Sequence, residues 1–78
     1  MKYAVEVMPR PEALDPQGRA VQSVLQRMGM TVQNVRVGKV VVIEVAESDP
    51  AKSLELVKSA AEKLLANPLI ETYQVRPL

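Results

Sequence analysis

Thr31-Val32-Gln33-Asn34-Val35-Arg36-Val37 and Val40-Val41-Val42-Ile43-Glu44-Val45-Ala46 are two runs rich in β-branched residues, separated only by Gly38-Lys39. Branching at Cβ suits the pleated surface of a sheet, and a glycine between two such runs stands where a tight turn would sit. The spacing therefore predicts a β-hairpin in the middle of the chain. Its second arm is apolar at four successive positions, Val40 to Ile43. A strand with one face in water has no need of that, so a cover is expected over its second face.

The hairpin is flanked by two segments of the same kind. Asp15-Pro16 and Asp49-Pro50 each place a carboxylate that can accept from free backbone N–H groups ahead of a proline suited to the first helical turn. After the first pair, Val21, Val24, Leu25 and Met28 recur at helical spacing, which predicts a helix over 16–28 closed by Gly29, with Met30 folding back on Leu25. After the second, Leu54, Val57, Ala61, Leu64 and Leu65 predict a helix ending at Asn67-Pro68. At the start of the chain, residues 2–8 alternate with Tyr3, Val5 and Val7 on the inward side. Pro9 and Pro11 then impose a loop as far as Leu14, and residues 70–76 read as the last strand. The order is β-α-β-β-α-β over a single domain, 1–78. This predicts an α+β, ferredoxin-like fold, an antiparallel sheet with two helices on one face. The other face, with Val40 and Val42 beside Ala4 and Met8, is the expected surface for self-association.

Composition removes several function classes. The chain has 78 residues with no histidine and no cysteine, so the usual nucleophile–base pairs cannot be assembled and no serine has an imidazole to activate it. Ten Lys/Arg against nine Asp/Glu give a net charge of +1 with the signs interspersed, so charge alone names no partner. The lack of cysteine favours a reducing, cytoplasmic setting, and no run is apolar enough to suggest a membrane span. RNA binding on a ferredoxin-like sheet needs aromatic stacking platforms on the open face. Tyr3 and Tyr73 are the only aromatics, and both fall in the inward phase of their strands. A domain this small buries only about 60 to 65% of its unfolded surface, which makes partners a natural source of further stability.

Two local motifs admit more than one reading. Asp15-Pro16-Gln17-Gly18 suits either a helix cap with close backbone packing at the glycine or a ligand contact at the first turn. Arg36-Val37-Gly38-Lys39 brings two cations to the expected turn, yet it lacks the further glycines and following helix of a phosphate loop. The scattered carboxylates Glu44, Glu47, Asp49, Glu62 and Glu71 show no metal-site spacing.

Taken together, Leu14-Asp15-Pro16-Gln17-Gly18-Arg19-Ala20-Val21, Val35-Arg36-Val37-Gly38-Lys39 and Asn67-Pro68-Leu69-Ile70-Glu71-Thr72-Tyr73 resemble, in order and spacing, the PurS subunit family of phosphoribosylformylglycinamidine synthase. The resemblance spans nearly the whole chain. It implies a non-catalytic subunit of de novo purine biosynthesis that bridges a glutaminase, PurQ, and an ATP-dependent synthetase, PurL. Ammonia released by the first would then be installed on formylglycinamide ribonucleotide by the second. It further implies no cofactor in this chain, and ATP and magnesium in the large subunit, while the second hairpin strand, apolar on both faces, predicts a homodimer or dimer of dimers. Neither nucleic acid nor membrane is implied as a partner. On motif position, Asp15, Gln17, Gly18, Arg36, Lys39, Asn67 and Pro68 are candidate partner contacts. A stand-alone small-ligand sensor and an RNA-binding module are the alternative classes that share such a fold.

Overall fold

A computed structural model describes all residues, 1–78. The elements are β1 (Lys2–Pro9), α1 (Pro16–Arg27), β2 (Lys39–Glu44), α2 (Pro50–Ala60), a π-helical turn (Ala61–Leu65) and β3 (Glu71–Pro77). The strands form one three-stranded antiparallel sheet in the order β2-β1-β3. Tyr3 stands opposite Ile43 and Val5 opposite Val41 on one side, and Val5 faces Val75 on the other. One face of the sheet thus collects Tyr3, Val5, Val7, Val41, Ile43, Tyr73 and Val75, and α2 with the π turn lies on it through Val57 and Ala61. The hydroxyls of Tyr3 and Ser53 share a buried hydrogen bond that fastens β1 to α2.

Both aspartates cap as their spacing predicts. Asp15 Oδ1 accepts from Gly18 N at 2.9 Å, and Asp49 Oδ1 accepts from Ala51 N at 2.9 Å and Lys52 N at 3.3 Å. Helix α1 ends in the Schellman geometry, with Gly29 at φ 87° and Met30 N donating to Leu25 O at 3.0 Å. The expected stripe of α2 loses one member. Leu64 is 82% exposed, because the π turn, closed by Ala66 N donating to Ala61 O, rotates the chain, so that Leu65 keeps its place against the core and Ala66 joins it.

The α+β class, the antiparallel sheet and the two helices stand, and two features of the expected layout differ. Thr31–Val37 carries no strand ladder, and Gly38-Lys39 is not a hairpin turn. The segment runs back along α1, with Gln26 Nε2 donating to Val32 O at 3.1 Å and Gln22 Nε2 to Gln33 O at 3.3 Å. A glycine is needed at position 38 because a Cβ there would overlap the Val7 carbonyl oxygen as well as the Met8 sulfur, so close does β1 pass. Lys39 is already the first residue of β2, opposite Val7. The second difference is helix α1: no residue of it belongs to the core or packs against it, and of its residues only Gly18 is buried. Of the stripe predicted to be covered, Val21, Val24 and Met28 are 42, 47 and 64% exposed and only Leu25 is half-buried.

Helix α1 and residues 30–37 therefore form an arm, and the sheet with α2 forms a body. The extents of 49 × 24 × 13 Å and a radius of gyration of 15.7 Å record that shape. A compact chain of this length would have a radius of about 11.5 Å.

Candidate functional site

Most candidate partner contacts meet at one end of the sheet, where β1 finishes and β2 and β3 begin. Asp15 does more than cap α1. Its Oδ2 accepts from Val37 N at 2.9 Å, so one carboxylate joins the chain going into the arm to the chain coming out. The backbone N–H groups of Gly18 and Val37 hold its carboxyl below the usual aspartate range, against some desolvation, and the Arg36 guanidinium acts in the same direction. Gly18 is buried because the outgoing chain lies on it, and a Cβ at that position would overlap the Val35 carbonyl oxygen. Asp15 and Gly18 thus serve a cap and a close backbone approach.

Arg36 is not a solvated turn cation. Its guanidinium is partly buried and donates to Arg10 O and to Ala13 O, the latter at 3.3 Å. Arg10, in turn, donates through Nε and Nη2 to Pro68 O at 3.2 and 2.9 Å, and Arg10 N donates to Ile70 O at 2.8 Å. Asn67 folds the turn that follows: its Oδ1 accepts from Leu69 N at 3.1 Å and its carbonyl from Glu71 N at 2.7 Å. Loop 10–14, the base of the arm and turn 67–70 are therefore tied together by two arginines. Gln17 and Lys39 are exposed at the edge of this region. Arg10 was missed by motif reasoning. The available signal was a long five-donor side chain between two prolines, in a loop whose carbonyls have no ladder to accept from.

Beside the junction lies an open cleft of about 550 Å³ bordered by Arg10, Glu62, Pro68, Glu71 and Tyr73. Tyr73 Oη donates to Glu62 Oε1 at 2.8 Å, and that carboxylate raises the phenol above its ordinary pKa. No cluster of three or more His, Cys, Asp or Glu residues is placed to hold a metal ion. With no imidazole or thiol in the chain, the cleft offers carboxylates, a phenol and a guanidinium already committed to carbonyls. Such groups suit contact with another protein better than bond-making.

Exposed apolar side chains gather on three parts of the molecule, with Leu14 and Leu56 standing apart from them. The arm carries Val21, Val24 and Met28, and the turn region carries Leu64, Leu69 and Ile70 at 82, 84 and 51% exposure. The open face of the sheet carries Val40 and Val42, both 59% exposed, beside an exposed Glu6–Arg76 ion pair at 3.0 Å. Tyr3 and Tyr73 both lie on the core side, so the open face presents no aromatic platform. No helix is long and apolar enough to cross a membrane.

Residues 2–77 match the family model described as PurS, phosphoribosylformylglycinamidine (FGAM) synthase. The PurS subunit of this synthase from Bacillus subtilis is 45% identical over 74 residues, covering 94% of this chain and 87% of that protein. The crystal structure of the Thermotoga maritima PurS subunit superposes with a TM-score of 0.89 at 40% identity, covering 99% of this chain and 90% of that one. A chain in the structure of PurLQS from Thermotoga maritima gives the same TM-score and identity, covering 99% of this chain and 95% of that one.

Proposed function

Since this chain belongs to the PurS family of phosphoribosylformylglycinamidine synthase subunits, we propose that it joins the synthetase and glutaminase subunits of that enzyme without taking part in the chemistry. The likeness to a chain within PurLQS supports PurL and PurQ as the two partners. One observation carries the reading: an elongated chain has an arm and a body that each expose apolar side chains, joined by a junction built of structural hydrogen bonds. The complex converts formylglycinamide ribonucleotide, glutamine and ATP to formylglycinamidine ribonucleotide, glutamate, ADP and phosphate. ATP and magnesium belong to the large subunit, and the setting is cytoplasmic.

The physical need for such a subunit follows from ammonia itself. Free in water near neutral pH it is mostly ammonium, which has no lone pair to attack with, so transfer between two sites requires them to be held together with solvent excluded. A subunit with two separated docking regions meets that need. The stripe of α1 and the Val40–Val42 face are covered by a second copy of the chain, as a homodimer or dimer of dimers. Gln17 and Lys39, together with Asn67 and Pro68 in the turn that also carries the exposed Leu69 and Ile70, are left for PurL and PurQ. Asp15, Gly18 and Arg36 act at the base of the arm.

The test is assembly by omission. On size exclusion with glutamine and ADP present, the glutaminase co-elutes with the synthetase when this chain is included and separates from it when the chain is left out. Co-elution that is equally complete without the chain would overturn the bridging role.

A further inference from the structure

The arm has no packing against the core of its own chain, so within one chain its direction is set where it leaves the body. Two reciprocal ties meet there. Asp15, on the incoming chain, accepts from Val37 N on the outgoing chain at 2.9 Å. Arg36, on the outgoing chain, donates to Arg10 O and Ala13 O on the incoming loop. Between them Gly18 lets the two chains touch, since any side chain there would strike the Val35 carbonyl. Arg10 extends the clasp to Pro68 O, and so to the turn that leads from α2 into β3.

We infer that Asp15 and Arg36 form a positioning clasp that fixes the angle between arm and body, and that this angle sets the spacing of the two partner subunits. Arg36 is suited to the task because a planar guanidinium can donate to two carbonyls at once and holds them in a fixed relation. An ordinary turn arginine would leave its head group in water. Asp15 is suited because its two oxygens serve two N–H groups on different segments, and the ionised form accepts both. The ties are few, so loosening either one frees the arm without touching the Tyr3–Val5–Val57 core. The part of this inference that concerns the synthase rests on the assembly role above.

Two readouts test it. The chain lacks cysteine, so Ser23→Cys on α1 and Lys58→Cys on α2 allow clean double spin labelling, carried out in a Val24→Asp background so that no second copy holds the arm, and diluted into unlabelled chain of that background to isolate intramolecular distances. The parent should give one narrow arm-to-body distance. Arg36→Gln and Asp15→Asn should broaden it, while the far-ultraviolet signal and melting of the body stay at parent values. Arg27→Gln is the control, since Arg27 bonds only to Ser23 O of its own helix, and it should leave the distance narrow. In the reconstituted complex, Arg36→Gln should lower glutamine-dependent synthesis by about ten- to a hundred-fold, the scale of a misplacement near 1 Å. Ammonia-dependent synthesis should stay within about two-fold of the parent. A distance that stays narrow in Arg36→Gln overturns the clasp. A broadened distance with an unchanged ratio of glutamine to ammonia rates overturns its positioning role. If the parent chain itself makes no difference to that ratio, the assembly role has failed instead, and the distances alone decide the clasp.

Discussion

Helices α1 and α2 begin alike and end up in different surroundings. Each has an aspartate cap and a proline in its first turn, and each carries an apolar stripe at helical spacing. Yet α2 places Ser53, Val57 and the following Ala61 in the core, whereas α1 buries only a glycine and leaves its stripe in contact with water. Local signals thus specify that a helix forms and where it starts, while the position of its apolar face depends on what lies opposite. For α2 that is the chain's own sheet. For α1 only the returning segment 31–37 runs alongside and no sheet lies under the stripe, so the helix has the pattern of one made to be covered by another molecule.

A matched pair of charge insertions should separate the two helices most sharply. Val57→Asp puts a carboxylate at a site with no exposure, at a cost of several kcal/mol that rivals the ~5 kcal/mol total stability of a small domain. Circular dichroism should show a largely unfolded chain. Val24→Asp lies on the arm at 47% exposure and should shift stability by no more than about 0.5 kcal/mol, while sedimentation should show loss of self-association. Equal destabilisation by both would mean that α1 packs on the body after all.

The two glycines at the ends of α1 come next. Gly18→Ala forces a Cβ against the Val35 carbonyl and should cost about 1–3 kcal/mol in urea unfolding. Gly29→Ala meets no neighbour and should cost about 1 kcal/mol, through its left-handed φ alone. The order matters, because it says the arm is fixed at its base and free at its tip.

The effect of acid is smaller and local. Asp15 has a folded pKa below its unfolded value near 3.9. Its contribution is therefore present above that value and is lost as pH falls through the folded pKa. The amide resonances of Gly18 and Val37 should titrate together with a midpoint below 3.9, and Asp15→Asn should abolish the transition. At the other side of the junction, spectrophotometric titration should find Tyr73 ionising above the ordinary tyrosine range, and Glu62→Gln should bring it back down.

The sequence made the body legible and the arm only half so. Alternation from Tyr3 to Val7 located β1 and its inward face, and the Asp-Pro pairs located both helix starts, because each signal is complete within a few residues. Gly29 announced the end of α1 for the same reason. Thr31–Val37 misled because β-branched content reports suitability for a sheet, whereas a ladder also needs a neighbouring edge, and here Gln22, Gln26 and Asp15 hold the segment along α1. Leu64 misled because a π turn shifts the helical phase by one residue with no mark in composition. Within the candidate site, position along the motif singled out Asp15, Gly18 and Arg36 as candidate partner contacts, and the structure brings the three together at the base of the arm. Their hydrogen bonds, and the part played by Arg10, required the tertiary structure.

The most direct test of the account measures synthesis by the synthetase and glutaminase pair with glutamine and with ammonium salts, each with and without this chain. Glutamine-dependent synthesis should require the chain, and ammonia-dependent synthesis should proceed without it. Full glutamine-dependent activity in its absence would contradict a coupling role. Loss of ammonia-dependent activity in its absence would mean that this chain takes part in the chemistry itself.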